Sequence, residues 1–97
     1  MHFTITNMDK PDSSAIRAAT RETHLGYLDG MVSIVVAGGA ILNAEGKPIG
    51  SLLIIDAPDE AAAQAIAAAD PYVTAGLFET VTVMPYRLVY KAGARFA

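Results

Sequence analysis

The sequence predicts an α+β domain of the ferredoxin-like type, with elements in the order βαββαβ and a four-stranded antiparallel sheet. Three observations lead there. Two stretches carry helix start and stop signals, two neighbouring β-rich runs are joined by a turn, and single strands flank the whole.

The first strand covers residues 2–8, where Phe3 and Ile5 fall two apart and so share one side of a pleat. Lys10-Pro11-Asp12-Ser13-Ser14 then breaks the strand, with Asp12 or Ser13 as the expected helix cap. The helix that follows is expected to run to Asp29 and to end on Gly30 as a left-handed exit residue. Residues 31–42 and 48–56 are rich in β-branched and apolar side chains and read as two strands, and Asn43-Ala44-Glu45-Gly46-Lys47 is the turn between them. Pro58-Asp59-Glu60 opens the second helix, with Pro58 expected in its first turn, and an alanine-rich segment carries it to Ala69. The last strand is expected from Phe78 to about Tyr90.

A chain of 97 residues fits one domain, residues 1–97. Hydrophobic residues make up 53% of it, and mean hydropathy is +0.35. That surplus needs a membrane or a second protein surface. No stretch of about 18 apolar residues is present, and Met1-His2-Phe3-Thr4 lacks the basic and apolar regions of a signal peptide. A membrane is therefore not expected, whereas an oligomer interface is. The runs 32–36 and 51–55 are apolar on both sides, which predicts a homodimer packed through its sheet faces. Cysteine is absent, which removes disulfide and thiolate chemistry and fits a cytoplasmic address. A net charge of −3 gives no electrostatic footprint for nucleic acid.

Arg17, Arg21, His24 and Leu28 are spaced 4, 3 and 4 and form one ridge along the first helix. Two guanidiniums and an imidazole on one ridge suit an anionic ligand such as a carboxylate, phenolate or phosphate. The same spacing also fits solvated arginines beside a packed histidine. At Asp70-Pro71-Tyr72, the residue before proline is driven out of the α region. Asp70 then caps a short new turn that begins at Pro71 and ends at Gly76. Capping alone accounts for Asp70, yet a second carboxylate oxygen would be free to orient an imidazole and fix its tautomer. Gly38-Gly39 permits close backbone approach to a ligand or a simple bend, Ser51 offers a hydroxyl, and Tyr72 offers an aromatic wall. No metal-ligand spacing, phosphate loop or nucleophile elbow is present, and no cofactor is expected.

Arg-x-x-x-Arg-x-x-His-Leu-x-Tyr-Leu over residues 17–28 resembles the start of the YCII-related (YciI-like) family. Gly38-Gly39, Gly46 with Gly50-Ser51, and Asp70-Pro71-Tyr72-x-x-x-Gly76-Leu77-Phe78 continue the resemblance in the same order. It spans roughly residues 3–86 and leaves a tail, 87–97, unmatched. The chain departs at Gly39-Ala40, where relatives commonly have Gly-Pro, so a less rigid loop is expected there. The resemblance implies a dimeric α+β barrel with a site on the family's His–Asp pair, here His24 and Asp70. It also implies a precedent in dehydrochlorination of a chlorinated hydroxyquinol, acid–base work that needs no cofactor.

The resulting expectation is a lyase or isomerase acting on a small anionic or phenolic molecule. His24 and Asp70 would be catalytic, and Arg17, Arg21, Ser51, Tyr72 and Gly39 would contact substrate. The alternatives are a binding module that holds such a molecule without converting it, a dimeric interaction protein, and, more distantly, a haem protein with His24 on iron.

Overall fold

A computed structural model describes residues 1–95. The tail assigned to 87–97 therefore lies outside the described residues at 96 and 97. The elements are β1 (His2–Asp9), α1 (Ser14–Asp29), β2 (Val35–Leu42), β3 (Pro48–Asp56), α2 (Glu60–Ala68), α3 (Pro71–Thr74), β4 (Phe78–Tyr86), β5 (Tyr90–Lys91) and β6 (Ala94–Arg95). The main sheet has the order β2-β3-β1-β4 with every neighbouring pair antiparallel, which is the ferredoxin-like arrangement.

Side-chain alternation divides the sheet into two faces. Phe3 and Ile5 of β1, Leu53 and Ile55 of β3 and Val83 of β4 are buried together with Ala63 and Ala67 of α2. Burying each of the large side chains contributes about 1.5–3 kcal/mol. The alanines of α2 let that helix lie close to the sheet, and a larger residue at Ala63 would overpack it. Across α1, by contrast, only His24 is buried, while Ile16 and Leu25 stay over a third exposed. That helix leaves a cleft between itself and the β2–β3 edge. The opposite face of the sheet carries Ala37, Leu52, Ile54 and Met84 but also Thr4, Thr6 and Thr82. It is therefore mixed rather than apolar throughout.

Several boundaries differ from the sequence reading. Gly30 keeps helical dihedrals (φ −71°) instead of turning left-handed, so the chain goes on coiling. The amides of Ile34 and Val35 both donate to the Met31 carbonyl, and β2 starts only at Val35. Ser13 precedes the first helical residue, but its hydroxyl donates back to the Lys10 carbonyl at 2.6 Å rather than capping α1. Pro58 lies before the cap of α2, not in its first turn, because the carboxylate of Asp59 accepts from Ala62 N at 2.8 Å. β4 ends at Tyr86, and Tyr90–Lys91 pairs instead with Ala94–Arg95 around Ala92 and Gly93, both at positive φ. The 43–47 turn forms as expected. Asn43 Oδ1 accepts from the amides of Glu45 and Lys47 at 3.0 Å, and Gly46 takes the left-handed φ of 80°.

No helix among the described residues is long and apolar enough to cross a membrane. Nor do the described residues contain a group of three or more His, Asp or Glu side chains placed to hold a metal ion.

Candidate active site

The ridge of α1 faces the cleft. Arg17, Arg21 and His24 line it from the helix, Gly38 and Gly39 from β2, Ser51 and Leu53 from β3, and Tyr72 from α3, around a volume of about 270 Å³. The expected site residues that border this cleft thus come from four elements.

Asp70 sits behind the cleft, only 3% exposed. Pro71 holds it in extended backbone (φ −60°, ψ 128°), and its side chain caps α3 by accepting from Tyr72 N at 2.9 Å. The same oxygen, Oδ1, lies 2.9 Å from His24 Nδ1. The cap and the histidine contact therefore converge on one atom, where the sequence reading assigned them to two. A carboxylate oxygen only accepts, so Nδ1 carries the proton of this bond and Nε2 of the neutral ring keeps its lone pair.

Packing fixes the imidazole from its flat side. The Tyr72 ring stacks on it with centroids 4.1 Å apart and planes inclined by 22°. Phe78 in turn meets Tyr72 edge-on at 5.7 Å. Burial pushes the Tyr72 phenol above the usual tyrosine range, against the opposing pull of Arg17. Tyr27, one turn past His24, donates to the Ile66 carbonyl at 2.7 Å and ties α1 to α2.

The two arginines divide in role. Arg17 is held by Asp9 through a double hydrogen bond, Nε to Oδ2 at 2.7 Å and Nη2 to Oδ1 at 2.9 Å, and its guanidinium lies 4.9 Å from the Tyr72 ring centroid. The Asp9 hydrogen bond holds its pKa above the usual arginine value, with burial opposing. Arg21 is exposed, borders the cleft and makes no hydrogen bond or ion pair among the described residues. It is the cation with capacity to spare for a ligand.

Gly39 borders the cleft, but a Cβ added there would meet nothing within 4 Å. The close approach belongs to its neighbour, since a Cβ on Gly38 would run into the Leu53 side chain. Gly39 and Ala40 lie within β2, paired to Leu52 and Ser51, so no loose loop replaces the missing proline. Two residues escaped the sequence reading. Asp9 disarms Arg17 from the preceding strand. Asn7 lies buried beside Ser51, its Nδ2 donating to Ser51 Oγ at 3.0 Å. Its signal was present: Asn7 continues the inward alternation of Phe3 and Ile5, and a polar residue at a core-facing position calls for a partner.

The YCII-related domain matches residues 1–87. The chain belongs to that family. It is 34% identical over 102 residues to Protein YciI of Escherichia coli O6:H1, covering 93% of this chain and all of that protein. In structure it is similar to 5-chloro-2-hydroxyhydroquinone dehydrochlorinase (TftG) from Burkholderia phenoliruptrix AC1100, solved in complex with 2,5-dihydroxybenzoquinone. The TM-score is 0.85 at 29% identity, over 90% of this chain and 94% of TftG. Rv0793 from Mycobacterium tuberculosis shares the fold alone, with a TM-score of 0.51 at 15% identity, over 94% of this chain and 96% of that one.

Proposed function

We propose that this YCII-family chain is a lyase or isomerase that moves a proton on a small anionic or phenolic ring without a metal or organic cofactor. The observation that carries the reading is the 2.9 Å contact between His24 Nδ1 and Asp70 Oδ1 at the wall of a ligand-sized cleft. Asp70 orients the ring, and Nε2 takes a proton from a hydroxyl or an acidic C–H of the ligand. The imidazolium so formed is stabilised by the carboxylate behind it, and Arg21 offsets the negative charge left on the ligand oxygen. In a lyase the leaving group then departs with its bonding pair, and in an isomerase the proton returns at a second carbon. Similarity to TftG supports hydroxylated quinone-type rings as the ligand class.

The test is a thermal-shift screen of small aromatic and dicarboxylic acids, 2,5-dihydroxybenzoquinone included, with turnover followed for each ligand that binds. Conversion by the wild type that is lost in His24→Ala and Asp70→Asn is the expected result. Binding with no conversion would favour a binding module, a reading supported by one observation: no carboxylate lines the cleft beside His24 among the described residues. A chain that binds none of the probes would overturn both.

The open face of the sheet supports a homodimer. Leu52 and Met84 are 40% and 55% exposed there beside Ile54, and pairing two sheets would cover them. Light scattering at micromolar concentration should give twice the chain mass, and a monomer would break this assignment.

A further inference from the structure

Asn7 and Ser51 face each other in the β1–β3 register, both turned inward, and are 2% and 7% exposed. The Asn7 amide donates to Ser51 Oγ at 3.0 Å, while Asn7 Oδ1 is buried with no partner among the described residues. Leaving half a buried amide unpaired is costly, and it is tolerated here directly behind Ser51, which lines the cleft. The consequence falls on the serine. A hydroxyl offers one proton and two lone pairs, and Asn7 occupies a lone pair. Among the described residues no acceptor takes the Ser51 hydrogen, and Ser51 borders the cleft opposite the ridge of α1.

We infer that Asn7 is a positioning residue that fixes Ser51 as a hydrogen-bond donor to an anionic oxygen of the ligand. The inference rests on the ligand class proposed above and extends it. The sheet side of the cleft receives an ionised phenol or enol oxygen, with Arg21 supplying the opposing charge, while His24 works from the helix side.

Two measurements test this. The first needs no ligand: the side-chain amide protons of Asn7 are followed by NMR in the wild type and in Ser51→Ala. An upfield shift of the donated proton in the variant supports the assignment. Unchanged Asn7 amide resonances would overturn it, because the serine would then be the donor to the amide oxygen or not bonded at all. The second is titration with 2,5-dihydroxybenzoquinone, whose hydroxyls are ionised at neutral pH. Ser51→Ala should weaken binding roughly tenfold or more, the expected size for a hydrogen bond to a charged oxygen. Asn7→Asp presents only acceptors to the serine and should draw its hydrogen away from the ligand. It should therefore cost about tenfold with Ser51 present and markedly less in the Ser51→Ala background. Equal losses in the two backgrounds would reduce the effect to added charge and overturn the positioning role. A wild type that binds no 2,5-dihydroxybenzoquinone overturns the ligand half together with the proposed function, and the amide spectrum decides the Asn7 half on its own.

Discussion

Asp59 and Asp70 do the same local work at the openings of α2 and α3. Each takes extended backbone and each accepts a hydrogen bond from an amide of the turn that follows, at 2.8 and 2.9 Å. Asp59 is exposed and does nothing more. Asp70 is buried, and the oxygen that caps α3 also holds the His24 imidazole. Identical capping chemistry has thus been left as a surface detail at one site and drawn into a candidate active site at the other. The difference lies in what packs on top: α1 reaches α3 through His24 and Tyr72, whereas nothing beyond its own turn bonds to the Asp59 side chain among the described residues.

The contrast is broken or sharpened by a graded set of variants. Asp70→Ala removes a buried acceptor from two donors at once. It should cost about 2–4 kcal/mol in urea unfolding and abolish ligand binding in whatever remains folded. A cost no larger than that of Asp59→Ala would erase the distinction. Asp59→Ala should cost about 1 kcal/mol, as an exposed cap does, and leave the affinity for 2,5-dihydroxybenzoquinone unchanged in the same titration. Asp70→Asn keeps an oxygen in place for both donors, so its unfolding midpoint should fall by less than that of Asp59→Ala. Turnover should nevertheless drop much further than binding, since a neutral amide cannot stabilise an imidazolium.

The smallest effect belongs to a third aspartate. The N-terminal ammonium, 3.0 Å away, holds the Asp56 carboxyl below its usual range. A lowered folded-state value means that the stabilisation is present above the ordinary carboxylate range and lost as pH falls through the lowered one. Both partners are exposed, so water and salt screen the pair. Thermal melts of wild type and Asp56→Asn at pH 7 and pH 3 should be indistinguishable. A midpoint difference between the two proteins that is present at pH 7 and gone at pH 3 would show that the pair stabilises the fold in spite of its exposure.

These aspartates also mark how far the sequence can be read. The Asp70 cap was legible, because a proline follows it and drives it into extended backbone, whereas the Asp59 cap was not, because Pro58 suits the first turn of a helix and here precedes the cap instead. The contact between His24 and Asp70 joins residues 46 apart through the packing of α1 on α3, which no local pattern encodes, so it was expected only through the family resemblance. The arginine ridge followed from helical period alone. That Asp9 would claim Arg17 and leave Arg21 free did not, because it depends on where the end of β1 lies beside α1. The late start of β2 was hidden for a related reason. Val32 and Ile34 favour strands, but a Gly30 that keeps helical dihedrals carries the chain through another turn first.

The shared oxygen of Asp70 has an evolutionary corollary. A lineage that abandons the chemistry is free to let His24 drift, because losing the imidazole leaves the cap of α3 intact. It is not free to lose Asp70, whose removal uncaps that turn whether or not a ligand is ever bound. An aspartate kept without the histidine would therefore record selection for folding, and the histidine is the residue whose retention would mark descendants that still use the cleft.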